Sequence, residues 1–224
     1  MLFRSATAAP APASSAPVGV DHARLGALKP ALLSLQLQIR SANHEALLTH
    51  RALEASLTRA GVPSRVLAVA MAPRPEGPVV LAREWLQSGK PWLVLLGSTG
   101  VGKSVAAGVA CVEAAQAGAS VLWLPAAELA TRAGGFDGQT FALRCKGVGL
   151  LVVDDFGTEH ASDFARSVML EVLMHRHENG ERTVVTSNLA GVDFAKRIGS
   201  RMADRMRNAG RSKEFAGPSL RGAA

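Results

Sequence analysis

Tyrosine is absent from the sequence, and phenylalanine and tryptophan bring the aromatic share to only 4% of 224 residues. A surface that grips nucleic acid by stacking bases on aromatic rings is not built from such a composition. Cysteine is scarce too. Cys111 and Cys145 are the whole complement, with no CxxC pair, which argues against a disulfide framework and gives no support to a zinc site. His175 and His177 stand two apart on an expected helix, so they face different ways and form no ligand cluster. Cys111 falls in an Ala-rich helical stretch and Cys145 just ahead of an apolar run, and both read as small core residues. No apolar run reaches the length needed to cross a bilayer, and no membrane partner is expected. Acids are missing from the first twenty residues, which carry Arg4 and are rich in Ala, Pro and Ser. That composition suits a transit peptide, whereas Pro10, Pro12 and Pro17 interrupt the apolar core that a secretory signal needs. The plainer expectation is a disordered tail over residues 1–20 of a cytoplasmic protein.

What remains is a chain of one ordinary domain plus an appendage, with 48% hydrophobic residues to fill a core. The net charge is +7. From Lys196 onward eight basic residues face only Asp204 and Glu214, so nearly all of the excess lies in residues 196–224. A solvated basic tail, contact with nucleic acid, and arginines that reach a neighbouring subunit's nucleotide all fit that distribution.

Residues 21–60 read as helical. Leu33, Leu35, Leu37 and Ile39 alternate as a strand does, but Leu32, Leu35 and Ile39 also form a helical stripe and Pro30 suits a first turn, so a helix is expected. Asn43 is the expected cap of a helix running towards Ala60, with Ala46, Leu53, Leu57 and Ala60 on one face. The resulting division is a helical, partner-binding segment over 21–70, a proline-rich linker over 71–78, and a main domain over 79–224. Within the main domain, Leu93–Leu96, Val121–Leu124, Val148–Val153 and Arg182–Thr186 are buried-strand candidates alternating with helices such as Lys103–Ala117. That order implies an α/β fold, a parallel sheet with helices on both faces.

Two motifs carry chemistry. Gly97-Ser98-Thr99-Gly100-Val101-Gly102-Lys103-Ser104 is a complete GxxxxGK[ST] phosphate loop between an apolar strand and a helix. Glycines let the backbone curl so that N–H groups meet phosphates, and the helix N-terminus adds partial positive charge. Lys103 is placed to reach the β- and γ-phosphates of ATP and Ser104 to ligate Mg²⁺. Leu150–Asp155 is an apolar strand ending in two acids, the look of a Walker B strand. Asp154 is the expected Mg²⁺ group and Asp155 the acid that orients the attacking water. Thr183–Asn188 is a further apolar strand with a polar end, from which Asn188 is placed to meet that water or the γ-phosphate. Arg201 and Arg205, four apart, share a helix face.

Taken in order, these pieces resemble the AAA+ P-loop NTPases of the DnaC helicase-loader and IstB transposition-helper group over about residues 60–224. The segments Asp154-Asp155-Phe156-Gly157, Thr186-Ser187-Asn188 and Gly217-Pro218-Ser219-Leu220-Arg221, and the junction Gly61-Val62-Pro63-Ser64-Arg65, are similar to that group's. The resemblance implies ATP and Mg²⁺ as cofactors, Asn188 as sensor 1, Arg205 as an arginine finger with Arg201 as its companion, and no separate lid domain. It also implies an ATP-dependent homo-oligomer on DNA and a replicative helicase or a transposase as partner. Asp155 departs from the group, where Glu is common at that place, and the N-terminal part lacks zinc ligands. The expected function is therefore an ATP-hydrolysing helicase loader. The alternatives are a transposition helper that recruits a transposase to target DNA, and a nucleotide-dependent adaptor with little turnover.

Overall fold

The computed structural model describes residues 22–75, 77–159 and 162–220, with the side chains of 22–33 and Leu35 outside that description. The tail expected over residues 1–20 lies outside the described residues, as does Arg221. The chain divides into two compact units, residues 1–48 and 49–224. In the first, the described residues belong to α1 (His22–Arg59), which runs on into the second. Helical backbone passes through Pro30, Leu33–Ile39 and Asn43 without a break. Asn43 therefore caps nothing and Pro30 is not in a first turn, because strong helix formers on either side carry the helix across both.

The second unit begins well before the proline-rich stretch. The end of α1 buries Leu57, and α2 (Ser64–Ala70) buries Val66, Leu67 and Ala70 against α4 (Lys103–Gln116). The approach is close enough that a Cβ on Gly108 of α4 would lie 2.6 Å from a Val66 methyl. The division of packing thus falls near residue 49 and not at 70–79. Pro78 is the first residue of α3 (Pro78–Gln87), where its missing N–H is harmless.

The sheet is five-stranded and parallel throughout, in the order β2–β3–β4–β1–β5. Its strands are β1 (Trp92–Gly97), β2 (Val121–Pro125), β3 (Leu150–Phe156), β4 (Arg182–Ser187) and β5 (Gly210–Phe215). Alternate residues feed two cores, as the two-residue strand period requires. Trp92, Val94, Leu96, Leu122, Leu124, Leu151 and Val153 face one core, shared with α5 (Ala126–Ala133), α6 (Gly138–Gly147), α7 (Asp163–Glu178), α8 (Gly191–Ile198) and α9 (Ser200–Ala209). Leu93, Leu95, Trp123, Leu150 and Val152 face the other, with α2, α3 and α4. Cys111 and Cys145 are both buried core residues as expected, and burial raises both thiols, Cys145 to about 11. No helix among the described residues is long and apolar enough to cross a membrane.

One strand escapes the sequence pattern. Gly-Arg-Ser-Lys-Glu-Phe pairs along β1 as an edge strand, held by backbone bonds, with Lys213 and Glu214 exposed and Arg211 half-buried beside Glu84. Part of the basic C-terminal stretch is therefore sheet and not a loose tail.

Candidate functional site

The order of the sheet decides where a ligand sits. α4 leaves the end of β1 on one face, while the helices that follow β2, β3 and β4 lie on the other. In such sheets the crevice lies at the carboxyl ends of the strands where the winding reverses. Here that point is occupied by the loop from Gly97 to Ser104, between β1 and α4. Gly97, Gly100 and Gly102 all take positive φ, at 124°, 91° and 93°. Gly102 is the N-cap of α4 and no side chain caps it. The first amide groups of that helix are thus left for a ligand in the loop. Val101 is buried and anchors the loop from below, whereas Ser98 and Thr99 are exposed.

Lys103 turns back into its own loop. It is 5% exposed, and its Nζ donates to Gly97 O at 2.7 Å, Ser98 O at 2.8 Å and Asn188 Oδ1 at 2.9 Å. Ser104 Oγ donates to Asp154 Oδ1 at 3.0 Å, and Thr186 Oγ1 donates to the same oxygen at 2.6 Å. Asn188 joins the two halves, since its Nδ2 donates to Asp155 Oδ1 at 3.3 Å while its oxygen takes the lysine. Lys103, Ser104, Asp154, Asp155 and Asn188 are therefore brought together from three adjacent strands, β3, β4 and β1.

The two acids part company because of the backbone. The ladder between β3 and β4 slips between Val153 and Phe156, so Asp154 and Asp155 together stand opposite Thr186. Such a bulge re-aims side chains at the end of a strand. Asp155 takes φ 55°, a left-handed conformation that Asp tolerates better than most residues. Its N–H donates to Thr186 Oγ1 at 3.0 Å and its carbonyl accepts from Thr158 Oγ1 at 2.8 Å. The result is a buried Asp154, 9% exposed, beside an exposed Asp155. Burial pushes the Asp154 carboxyl above its ordinary value and the neighbouring Asp155 adds to this. Hydrogen bonds from Thr186 and Ser104 and the charge of Lys103 oppose the rise without cancelling it.

Thr186 is the residue that sequence reasoning passed over. It was legible only as part of a polar strand end, yet it contacts both acids. The available signal was a hydroxyl at the end of a buried strand, which needs a partner. Glu159 was also missed. It is buried, accepts from Gly157 N–H at 2.6 Å and pairs with Arg197 at 3.1 Å, tying the turn after β3 to α8. Arg205 does not join the cluster. It lies half-buried on α9 with Nη1 2.8 Å from Met174 Sδ. Asp204 pairs instead with Arg207, and Glu214 accepts from Gly191 N–H. Among the described residues no carboxylate pairs with Arg205, and Arg201 is exposed.

A parallel sheet of this order with a GxxxxGKS loop after β1 and an acidic pair ending β3 defines a P-loop NTPase of AAA+ type. Residues 82–208 match the family described as IstB-like ATP binding protein, more than half of the chain, and the chain belongs to that family. No curated protein matches it. Its fold is similar to the crystal structure of the DnaC helicase loader, with a TM-score of 0.58 and 20% identity over 69% of this chain and 100% of that one. It is equally similar to DnaI, with a TM-score of 0.59 and 22% identity over 71% and 94%. The replication initiator DnaA bound to AMPPCP and single-stranded DNA gives 0.54 at 18% identity over 62% and 45%. Identities this low speak for the fold alone.

Proposed function

We propose that this chain is a helicase-loader-like ATPase. It binds ATP with Mg²⁺ at Gly97–Ser104, hydrolyses it slowly, assembles with copies of itself on DNA, and delivers a replicative helicase. The observation that carries the reading is the single hydrogen-bonded chain from Lys103 through Asn188 to Asp155, beside Ser104, Asp154 and Thr186. Each group has work there. Lys103 exchanges its carbonyl partners for β- and γ-phosphate oxygens, and Asn188 holds its amide towards the same place. Asp155 orients the attacking water. Ser104 Oγ and Asp154 Oδ1 form a small set of hard oxygens beside the loop, which fits Mg²⁺, an ion that keeps several waters and takes phosphate oxygens. When bound, that ion neutralises charge on the β- and γ-phosphates. Arg205 and Arg201 are offered from α9 to a neighbouring subunit's nucleotide, a role consistent with the lack of a carboxylate partner for Arg205 among the described residues.

The family match favours a second reading, a transposition helper that recruits a transposase. Steady-state ATPase assays with and without DNA, followed by ATP-dependent pulldown against helicase and transposase, separate the readings. Turnover that rises with DNA, together with retention of helicase, is expected. Retention of transposase alone selects the second reading, and intact ATP binding without turnover leaves a nucleotide-dependent adaptor.

A further inference from the structure

β5 runs parallel to β1 and ends at Phe215, level with Gly97. The chain that leaves it therefore emerges beside the phosphate loop, and it stays there. Leu220 N–H donates to Gly100 O at 3.0 Å, and Ser98 Oγ donates to Gly217 O at 3.5 Å. Gly100 has φ 91°, and a Cβ on it would fall 2.1 Å from Ser219 Oγ. The hydroxymethyl of Ser219 thus fills the space that any side chain at position 100 would need. One step along the loop, a Leu220 methyl and the Pro78 ring lie 3.7 Å and 3.9 Å from where a Cβ on Gly102 would stand. Pro78 is buried, whereas Leu220 is 58% exposed. An exposed leucine beside a buried proline makes an apolar step at the start of α4, next to the loop that takes phosphates.

ATP presents two chemistries, a polyanionic end and an apolar planar base. The phosphate loop, with Lys103, answers only the first. We infer that Gly217–Leu220 is the second half of the nucleotide site. Its contacts to Ser98 and Gly100 brace the phosphate loop, and Leu220 with Pro78 is the surface on which the nucleoside packs. The inference rests on the ATP-binding reading of the loop and adds the contact that distinguishes a nucleotide from bare phosphate.

The test compares two ligands, ATP and inorganic tripolyphosphate, by displacement of a fluorescent ATP analogue from the full chain. Leu220→Ala should weaken ATP about 5- to 10-fold, as loss of the leucine surface that a packed nucleoside would cover implies, and leave tripolyphosphate unchanged. Lys103→Ala should weaken both ligands, which keeps failure of the phosphate loop distinct from failure of the nucleoside seat. A chain ending at Ala216 should weaken both, because the loop loses its brace as well. Unfolding midpoints without ligand confirm that Leu220→Ala is folded, and its exposure makes this the expected result. Unchanged ATP affinity in Leu220→Ala, or an equal loss for both ligands, overturns the nucleoside seat. Full ATP affinity in the chain ending at Ala216 overturns seat and brace together.

Discussion

Asp154 sits where its own charge is unwelcome. Its folded-state pKa lies above that of the unfolded chain, so between the two values the folded protein holds a proton that the unfolded chain has released. This group's contribution to stability is complete below the unfolded value and is lost as pH rises through the folded one. Asn at 154 keeps an oxygen for Thr186 and Ser104 but carries no charge. In EDTA and without nucleotide, Asp154→Asn should unfold at a higher temperature than the parent, with a gap that widens as pH rises through that window and closes at low pH. A gap independent of pH would mean that the acid is not strained by burial. Stabilisation of the variant by ATP with Mg²⁺ should fall at the same time. Asp155 differs in its placement, being exposed and left-handed at φ 55°. Asn tolerates that backbone equally well, so Asp155→Asn should bind ATP as the parent does and hydrolyse it about 100- to 10,000-fold more slowly, the usual loss for a removed general base. Single-turnover hydrolysis at the parental rate would remove Asp155 from the water-orienting role. The acids and the phosphate loop were legible in sequence because their chemistry needs fixed residues at fixed spacing. Thr186 was not, because its value comes from lying opposite the bulge on another strand.

At the level of the elements, the same contrast holds. β1, β2, β3 and β4 were readable because a strand buried on both faces must be apolar along its length. β5 was not, because an edge strand is held by its backbone and tolerates polar and charged side chains such as the exposed Lys213 and Glu214. The continuity of α1 through Asn43 and the docking of α2 on α4 depend on tertiary packing that local capping signals do not contain. Arg176 on α7 is a further case. It is fully buried, and its guanidinium donates to Thr183 Oγ1 and to the carbonyls of Cys145, Lys146, Val148 and Arg182. It thereby joins the C-terminal end of α6 to the start of β4. Burial lowers its pKa to about 10, which leaves it charged at neutral pH. Arg176→Leu strands several buried carbonyls and should cost about 3 kcal/mol or more. Lys should not rescue it, since an ammonium cannot span that fork. Chemical denaturation of both variants measures the loss, and a change below about 1 kcal/mol would contradict the buried-clamp reading.

At the scale of the whole chain, the sequence is basic and poor in aromatics. DNA binding by such a chain should depend on phosphate contacts, so affinity should fall steeply between low and moderate salt and vary little with sequence. Titrations at several salt concentrations check this, and a flat salt response would contradict it. An Arg205→Ala subunit keeps its ATP site and a Lys103→Ala subunit keeps Arg205. Each should be nearly inactive alone, and mixed assemblies should recover part of the ATPase activity. Full activity of Arg205→Ala alone with DNA would exclude a finger at that position. Every nucleotide-dependent outcome requires Lys103, within its loop, to be the phosphate-binding cation. Calorimetric titration of ATP with Mg²⁺ into the parent and into Lys103→Ala tests this most directly. One site per chain is expected in the parent and an affinity weaker on the order of 10- to 100-fold in the variant, the usual worth of a charge-assisted bond, with the fold retained. Equal affinity in the two proteins would contradict that role for Lys103.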